Sequence, residues 1–231
     1  MKRFFMIRKA GQELVTYYEK KLYPLQDEVL AFITGNYFYL SGGTCLSRFY
    51  YQHRYSDDLD LFFNGFQNEK ELFDIEYQRI VNALSKKFTI EVLMAHDFFK
   101  RIIVSKEAIY LKIEFVYENY KIIGERKKVD NYWIDSKENI ATNKMTTIYD
   151  RKMAKDFFDL YFLLKDFNLK DLITWAQTKI VPMDYEGTLL ALKGPEMEGK
   201  VLTKLEVDIK DFEDFIKRLS RDILFYAKNI G

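Results

Sequence analysis

Two short stretches constrain the fold of this chain most: the turn Gly42-Gly43-Thr44 and the acidic pair in Asp58-Leu59-Asp60-Leu61. The apolar run Tyr37-Phe38-Tyr39-Leu40 before the turn predicts a strand, followed by a short helix that starts at Thr44 and ends at Tyr50. Side chains alternate faces along a strand, so a strand over 58–63 places both acids on one face and both leucines on the other. One face of this strand must therefore be buried, and the acidic face must meet solvent or a ligand.

Two carboxylates side by side repel each other, so the pair indicates a function that needs them. Mg²⁺ binds carboxylate oxygens together with the phosphates of a substrate. The glycines and the first helical residue, Thr44, would offer free backbone N–H groups to those phosphates. The pattern therefore predicts a nucleotidyl-transfer site at Asp58 and Asp60; the alternative is a solvated strand edge whose acids discourage aggregation.

Three further stretches hold candidate functional residues. Glu114, in the β-rich run 110–116, could be a third metal ligand and accept a proton, or could simply alternate outward with Lys112 on a half-exposed strand. Lys144 and Asp156 lie on predicted helices, where the residues alone indicate no more than a charged surface. The basic run Arg126-Lys127-Lys128 could bind RNA, or could be a solvated loop. Aromatic and basic residues flank this run: Tyr120, Lys121, Tyr132 and Trp133.

Composition excludes several classes of protein. The net charge is +1, so bulk charge does not indicate a nucleic-acid partner, and the sequence has no apolar run of about 18 residues that would predict a membrane span. The single cysteine, Cys45, excludes an intrachain disulfide and fits the reducing cytoplasm. The two histidines, His53 and His96, lack partners at ligand spacing, so a zinc site is not expected.

The order of the predicted elements indicates an α+β fold, a mixed sheet flanked by helices and followed by a helical C-terminal part. We expect a core domain with N-terminal helices over 1–130 and a mainly helical domain over 131–231. The stretches 101–104 and 109–117 predict a hairpin. The segment 182–208, with two prolines and four glycines, is expected to be irregular. The predicted helices span residues 10–22, 24–34, 68–86, 137–149, 154–165, 169–180 and 211–228.

Four ordered motifs between about residues 38 and 165 resemble those of the AbiEii/AbiGii toxin-type nucleotidyltransferases, within the DNA polymerase beta-like superfamily. The motifs are Gly42-Gly43-Thr44-x-Leu46, Arg54-x-Ser56-x-Asp58-Leu59-Asp60-Leu61, Lys144, and Arg151-x-x-x-Lys155-Asp156-x-x-Asp159-Leu160. The resemblance implies a nucleotidyltransferase-type sheet and Mg²⁺-dependent transfer, with Mn²⁺ as a substitute, of a nucleotide from an NTP. It also implies a toxin of a toxin–antitoxin or abortive-infection system, with a cognate antitoxin and RNA, above all a tRNA 3′ end, as acceptor.

Carried over by position, the resemblance assigns roles to individual residues. Asp58 and Asp60 would bind the metal, and Lys144 would contact phosphate or base while Asp156 orients the site. The residues expected to bind the nucleotide are Gly42, Gly43, Thr44, Arg48, Ser56 and Lys144. Two alternatives stay open: transfer of the nucleotide to a protein, and a catalytically silent protein of the same fold that binds RNA or a partner.

Overall fold

The structure is a computed structural model of the 231-residue chain, and it describes residues 7–65, 69–151, 153–179, 184–193 and 199–229. The strands are β1 (Ile7–Lys9), β2 (Phe38–Ser41), β3 (Leu59–Asn64), β4 (Thr89–His96), β5 (Phe99–Lys106), β6 (Ile109–Glu118), β7 (Lys127–Val129), β8 (Tyr132–Ile134) and β9 (Val201–Thr203). The helices are α1 (Gln12–Tyr17), α2 (Tyr23–Leu30), α3 (Gly42–Cys45), α4 (Lys70–Leu84), α5 (Lys137–Arg151), α6 (Ala154–Asp166), α7 (Leu169–Gln177), α8 (Tyr185–Lys193) and α9 (Ile209–Asn229), with π-helical turns at Tyr18–Leu22 and Leu46–Tyr51.

The described residues form two compact units. One unit holds residues 11–50 and 56–136 and contains the large sheet. The other holds the described residues of 1–10, 51–55 and 137–231 and is mainly helical. Strand β8 belongs to the first unit because it pairs in parallel with β2, so the sheet extends to residue 134. We call these the sheet unit and the helical unit.

The sheet unit is built on a mixed seven-stranded sheet with the order β4-β5-β6-β3-β2-β8-β7. The β3–β6 and β2–β8 pairs are parallel, and the other neighbours are antiparallel. The predicted mixed sheet and the predicted hairpin, β5–β6, are confirmed. The hairpin turns at Glu107 and Ala108, whose φ values of 51° and 61° match the two-residue turn that suits twisted strands.

Helix α4 covers one face of this sheet with an apolar stripe at helical spacing. Phe73, Tyr77, Ile80 and Leu84 are buried, and the Tyr77 ring lies 5.0 Å from that of Phe115 on β6. On β3, Leu59, Leu61 and Phe63 are buried, whereas the residues between them are partly exposed. The predicted alternation is confirmed, and it leaves Asp60 on the side of the sheet away from the buried β3 residues.

The helical unit packs α6 against α9 through aromatic side chains, with the rings of Phe158 and Phe212 5.8 Å apart. An apolar stripe on α9 is buried from Phe212 to Ile223. The prediction that 182–208 is irregular is wrong, because this segment contains α8 and β9, although residues 182–183 and 194–198 lie outside the described residues. Strand β9 pairs in parallel with β1, with Ile7 opposite Val201, and a partner so distant in sequence leaves no local signal.

Candidate active site

The glycine turn follows directly from β2, and its first residue has a backbone conformation that favours glycine. Gly42 has φ of 67°, which L-residues with a side chain rarely adopt. A Cβ placed on Gly42 would lie 2.1 Å from Oδ2 of Asp60. The missing side chain therefore makes room for the Asp60 carboxylate. The helix begins at Gly42 rather than at Thr44 as predicted, because Gly42 ends the strand and starts α3 in one residue.

Two hydroxyl groups position the chain just before β3. Thr44 Oγ1 donates a hydrogen bond to the carbonyl oxygen of Asp58 and lies 2.8 Å from Ser56 Oγ. Both side chains are buried. The backbone N–H of Ser56 donates to the Tyr23 hydroxyl at 3.3 Å. Thr44 and Ser56 thus hold Asp58 in place, and direct contact of either residue with a nucleotide stays a prediction.

Register brings the acids of β3 beside charged residues of β6. The parallel pairing puts Asp60 opposite Glu114, and Glu114 in turn lies opposite Arg101 of β5. Lys112, two residues before Glu114 on the same face, contacts Oδ2 of Asp58 at 2.9 Å and Oε1 of Glu114 at 3.0 Å. Asp60 and Glu114 therefore lie on neighbouring strands, Asp58 immediately precedes β3, and Lys112 lies between Asp58 and Glu114.

The charges around Glu114 determine its ionisation. Burial alone would raise the pKa of this carboxyl, but hydrogen bonds and charge from Lys112 and Arg101 outweigh it and lower the pKa. Arg101 donates through Nε at 3.0 Å and Nη2 at 2.8 Å to the same oxygen. Burial would lower the pKa of the Lys112 ammonium, but Asp58 and Glu114 raise it. Both groups are charged at neutral pH.

The donor set fits a divalent cation that is completed by substrate phosphates. Asp58 and Asp60 offer hard carboxylate oxygens, and the missing side chain of Gly42 makes room for the Asp60 carboxylate. Among the described residues no group of three or more His, Cys, Asp or Glu side chains is arranged to bind a metal ion. Two carboxylates with substrate phosphates are a usual environment for Mg²⁺. Glu114, held by two cations, would have to release Lys112 to become a third ligand.

Arg48, predicted to bind nucleotide, has partners on α2. Its guanidinium donates to Gln26 Oε1 at 3.1 Å and to Asp27 Oδ1 at 2.6 Å, and it lies 4.6 Å from the centre of the Tyr23 ring. These contacts attach the π-helical turn after α3 to α2. A nucleotide-binding role for Arg48 stays a prediction.

Lys144 and Asp156 belong to a buried ion cluster in the helical unit, formed with His53, Arg54 and Asp159. Arg54 donates to both carboxylate oxygens of Asp159, at 2.7 and 2.8 Å, and His53 Nε2 lies 2.8 Å from Oδ1. Lys144 Nζ contacts Asp156 Oδ1 at 2.5 Å and Asp159 Oδ2 at 2.7 Å. All five side chains are at least nine-tenths buried. Asp159 is thus the centre of a cluster whose Arg54, Lys144 and Asp156 come from three separate sequence motifs, with His53 beside the first.

Burial and charge shift the pKa values in this cluster in opposite directions. Burial would raise the pKa of Asp159, but Arg54 and Lys144 hold it well below its ordinary value. Burial lowers the pKa of His53 and outweighs the attraction of Asp159, so the imidazole is neutral. The roles of His53 and Asp159 were not predicted. Arg54 and Asp159 stand in the quoted motifs, which is the one signal that could have identified their pairing.

The basic run is partly paired with aromatic rings inside the sheet unit. The Arg126 guanidinium lies 5.0 Å from the ring centre of Tyr39 and 5.8 Å from that of Trp133. Lys127 and Lys128 are exposed on β7. Tyr132 is buried, so it is not available to stack on a base. The exposed cations stay candidates for contact with an acceptor.

Comparison with known proteins identifies the family. Residues 25–224 match the model of the family described as nucleotidyl transferase AbiEii toxin, type IV toxin–antitoxin system. The chain belongs to the AbiEii toxin family. This AbiEii protein is therefore a nucleotidyltransferase of the toxin type, as the four motifs predict. Its family supports this enzyme over the alternative of a catalytically silent protein.

Relatives of this AbiEii protein cover most of its length. An uncharacterised protein of Aquifex aeolicus is 28% identical over 194 residues, which cover 82% of this chain and 89% of the relative. The crystal structure of JHP933 from Helicobacter pylori has a TM-score of 0.58 at 20% identity, covering 94% of this chain and 93% of that one. MenT4, the nucleotidyltransferase toxin Rv2826c of Mycobacterium tuberculosis, has a TM-score of 0.60 at 12% identity, covering 93% and 90%. These structural likenesses confirm the predicted fold class.

A helix that crosses a bilayer must be both long and apolar. Within the described part of the chain, no helix meets both requirements for crossing a membrane.

Proposed function

We propose that this AbiEii protein transfers a nucleotide from an NTP to the 3′ end of an RNA, above all a tRNA, in a reaction that requires Mg²⁺ or Mn²⁺. The observation that carries the proposal is the close approach of Gly42 to the Asp60 carboxylate, beside Asp58 at the start of β3. The close fit of the glycine turn to the Asp60 carboxylate supports a functional role for this acid, because an acid on a solvated strand edge would not need a neighbour without a side chain.

The chemistry follows from where charge develops. The acceptor hydroxyl oxygen bonds to the α-phosphorus, the bond from that phosphorus to the bridging oxygen breaks, and pyrophosphate leaves. Asp58 and Asp60 would hold the divalent cation, which neutralises charge on the phosphate oxygens. Thr44 fixes the Asp58 backbone, so the carboxylates need little reorganisation. Glu114 is the proposed acceptor of the hydroxyl proton, and release of Lys112 would strengthen it as a base, because Lys112 and Arg101 lower its pKa.

The finer parts of the proposal rest on the family and on local charge. Lys127 and Lys128 are exposed and offer partners for RNA phosphates, and Tyr120 exposes 42% of its surface for stacking. A cognate antitoxin and a cytoplasmic location are proposed from the toxin family and from the single cysteine. The catalytic roles of Lys144 and Asp156 stay predictions.

The test is transfer of label from each α-³²P-NTP to total RNA in the presence of Mg²⁺. Asp58→Asn should abolish labelling with little loss of thermal stability, because the partly exposed Lys112–Asp58 ion pair contributes about 1 kcal/mol or less and Lys112 keeps Glu114 as a partner. Asp57→Asn is the matched control, since that acid accepts a hydrogen bond from the Tyr18 hydroxyl at 2.6 Å and is not a proposed ligand. An Asp58→Asn variant as active as the wild type would contradict the site assignment.

The acceptor is tested in the same assay. A Lys127→Glu/Lys128→Glu variant should lose RNA labelling while it still binds NTP. Labelling of RNA by the wild type should fall steeply with salt, because phosphate contacts release counterions, and the variant should show a shallower dependence on salt. Lys20→Glu/Lys21→Glu makes the same charge change at exposed positions of the same unit and should keep activity. Label that appears on protein bands and never on RNA would favour nucleotide transfer to a protein instead.

A further inference from the structure

Lys112, on β6, contacts two of the acids of the proposed site. Its ammonium lies 2.9 Å from Asp58 and 3.0 Å from Glu114, so one cation bridges acids on two strands. The register explains this contact, because the parallel pairing that aligns Asp60 with Glu114 also brings Lys112 level with Asp58, just before β3. The pairing of β6 with β3 therefore sets the position of Lys112 beside Asp58.

The two acids do not depend on Lys112 to the same extent. Glu114 has a second cationic partner, Arg101, whose Nη2 lies 2.8 Å from the oxygen that Lys112 also contacts. For Asp58, Lys112 is the cationic partner found among the described side chains. Loss of Lys112 would therefore leave Glu114 compensated and Asp58 exposed to the repulsion of neighbouring carboxylates.

We propose that Lys112 is a built-in counter-ion that neutralises Asp58 in the metal-free protein and that must release Asp58 when a divalent cation binds. The inference rests on the proposed function, since it takes Asp58 as a metal ligand. A divalent cation bound by Asp58 would compete with the Lys112 ammonium for this carboxylate, and the two positive charges would repel each other at short range. Lys112 is thus a positioning residue that weakens binding of the free metal ion and favours its arrival with a polyphosphate, which brings its own negative charge.

The first experiment measures Mn²⁺ binding by titration calorimetry without any nucleotide. Lys112→Met should bind Mn²⁺ roughly fivefold more tightly than the wild type. This factor corresponds to the largest free energy that one partly exposed ion pair usually contributes. Lys112→Arg keeps the charge and should bind like the wild type. Lys106→Met is the matched control, because Lys106 is similarly exposed and pairs with Glu28 at 2.7 Å, away from the proposed metal ligands.

The second experiment observes the lysine directly in the folded wild-type protein. Lysines are dimethylated with ¹³C, which keeps their charge, and the Lys112 signal is assigned by its loss in Lys112→Arg. Titration with Mg²⁺ should shift this signal and leave that of Lys106 unchanged. This measurement holds even if Lys112→Met folds poorly.

The outcomes separate this inference from the proposed function. The inference is overturned if Lys112→Met binds Mn²⁺ no more tightly than the wild type, or if neither protein binds Mn²⁺. It is also overturned if Mg²⁺ does not move the Lys112 signal. If Asp58→Asn abolishes both Mn²⁺ binding and nucleotide transfer while Lys112→Met binds like the wild type, only the role of Lys112 is wrong. If Asp58→Asn still binds Mn²⁺ and transfers nucleotide, the proposed metal site is wrong and the inference fails with it.

Discussion

Replacing Asp159 by Asn removes the central negative charge of the buried ion cluster and leaves the size of the side chain almost unchanged. In the wild type, Arg54 and Lys144 are balanced by Asp156 and Asp159, while His53 is neutral. The variant leaves two positive charges against one negative charge among these side chains. Breaking a buried ion pair by removing one partner costs about 3–5 kcal/mol of unfolding free energy. For a chain of this size, we expect the melting temperature to fall by roughly 10 °C or more.

The loss should depend on pH in a defined direction. The pKa of Asp159 is lowered in the folded protein, whereas an unfolded aspartate has a pKa of about 3.9. Its stabilising contribution is therefore complete above about pH 5 and is lost as the pH falls below the unfolded pKa toward the folded one. At pH 3 the difference between Asp159→Asn and the wild type should be smaller than at pH 7 by about 1 kcal/mol.

Urea unfolding followed by far-ultraviolet circular dichroism at pH 7 and pH 3 measures both effects. Asp166→Asn is the control on the same helix, since Asp166 is 36% exposed and pairs with Lys137 and the Tyr51 hydroxyl. It should cost about 1 kcal/mol or less. Equal losses for the two variants at pH 7, or a difference that grows as the pH falls, would refute the reasoning about the cluster.

Two further predictions concern Gly42 and His53. Gly42→Ala should cost about 1–2 kcal/mol from its positive φ and should reduce transfer more severely, because the new Cβ displaces the Asp60 carboxylate. Gly11→Ala, whose Cβ would meet open space, should leave transfer unchanged. A fully active Gly42→Ala in the transfer assay would contradict the fit. Burial lowers the pKa of His53 in the folded protein, so below about pH 6.5 His53 binds a proton in the unfolded chain while it stays neutral in the folded chain. The free energy of unfolding should therefore fall as the pH drops below about 6.5. His53→Gln should remove this slope in urea midpoints measured from pH 8 to pH 5, and parallel curves for the two proteins would count against it.

The sequence by itself determines most of the helices, the main strands of the large sheet and the chemistry of the proposed metal ligands, but it does not predict α8 and β9. Alternation in Asp58-Leu59-Asp60-Leu61 is enough to predict which side of β3 is buried, because strand periodicity is local. The glycine turn, the β5–β6 hairpin and the apolar stripe of α9 are read in the same way. Each of these features depends on neighbours within a few residues along the chain.

Only the tertiary structure decides which charges meet. Lys112 reaches Asp58 because β3 and β6 pair in parallel at one register, and a shift by one residue would send Lys112 to the opposite face. In the same way, Arg54 and Asp159 are 105 residues apart and become partners only when the helical unit folds. The physical reason is that ion pairs form between side chains close in space, and sequence patterns report periodicity and residue type but not which distant strands and helices become neighbours.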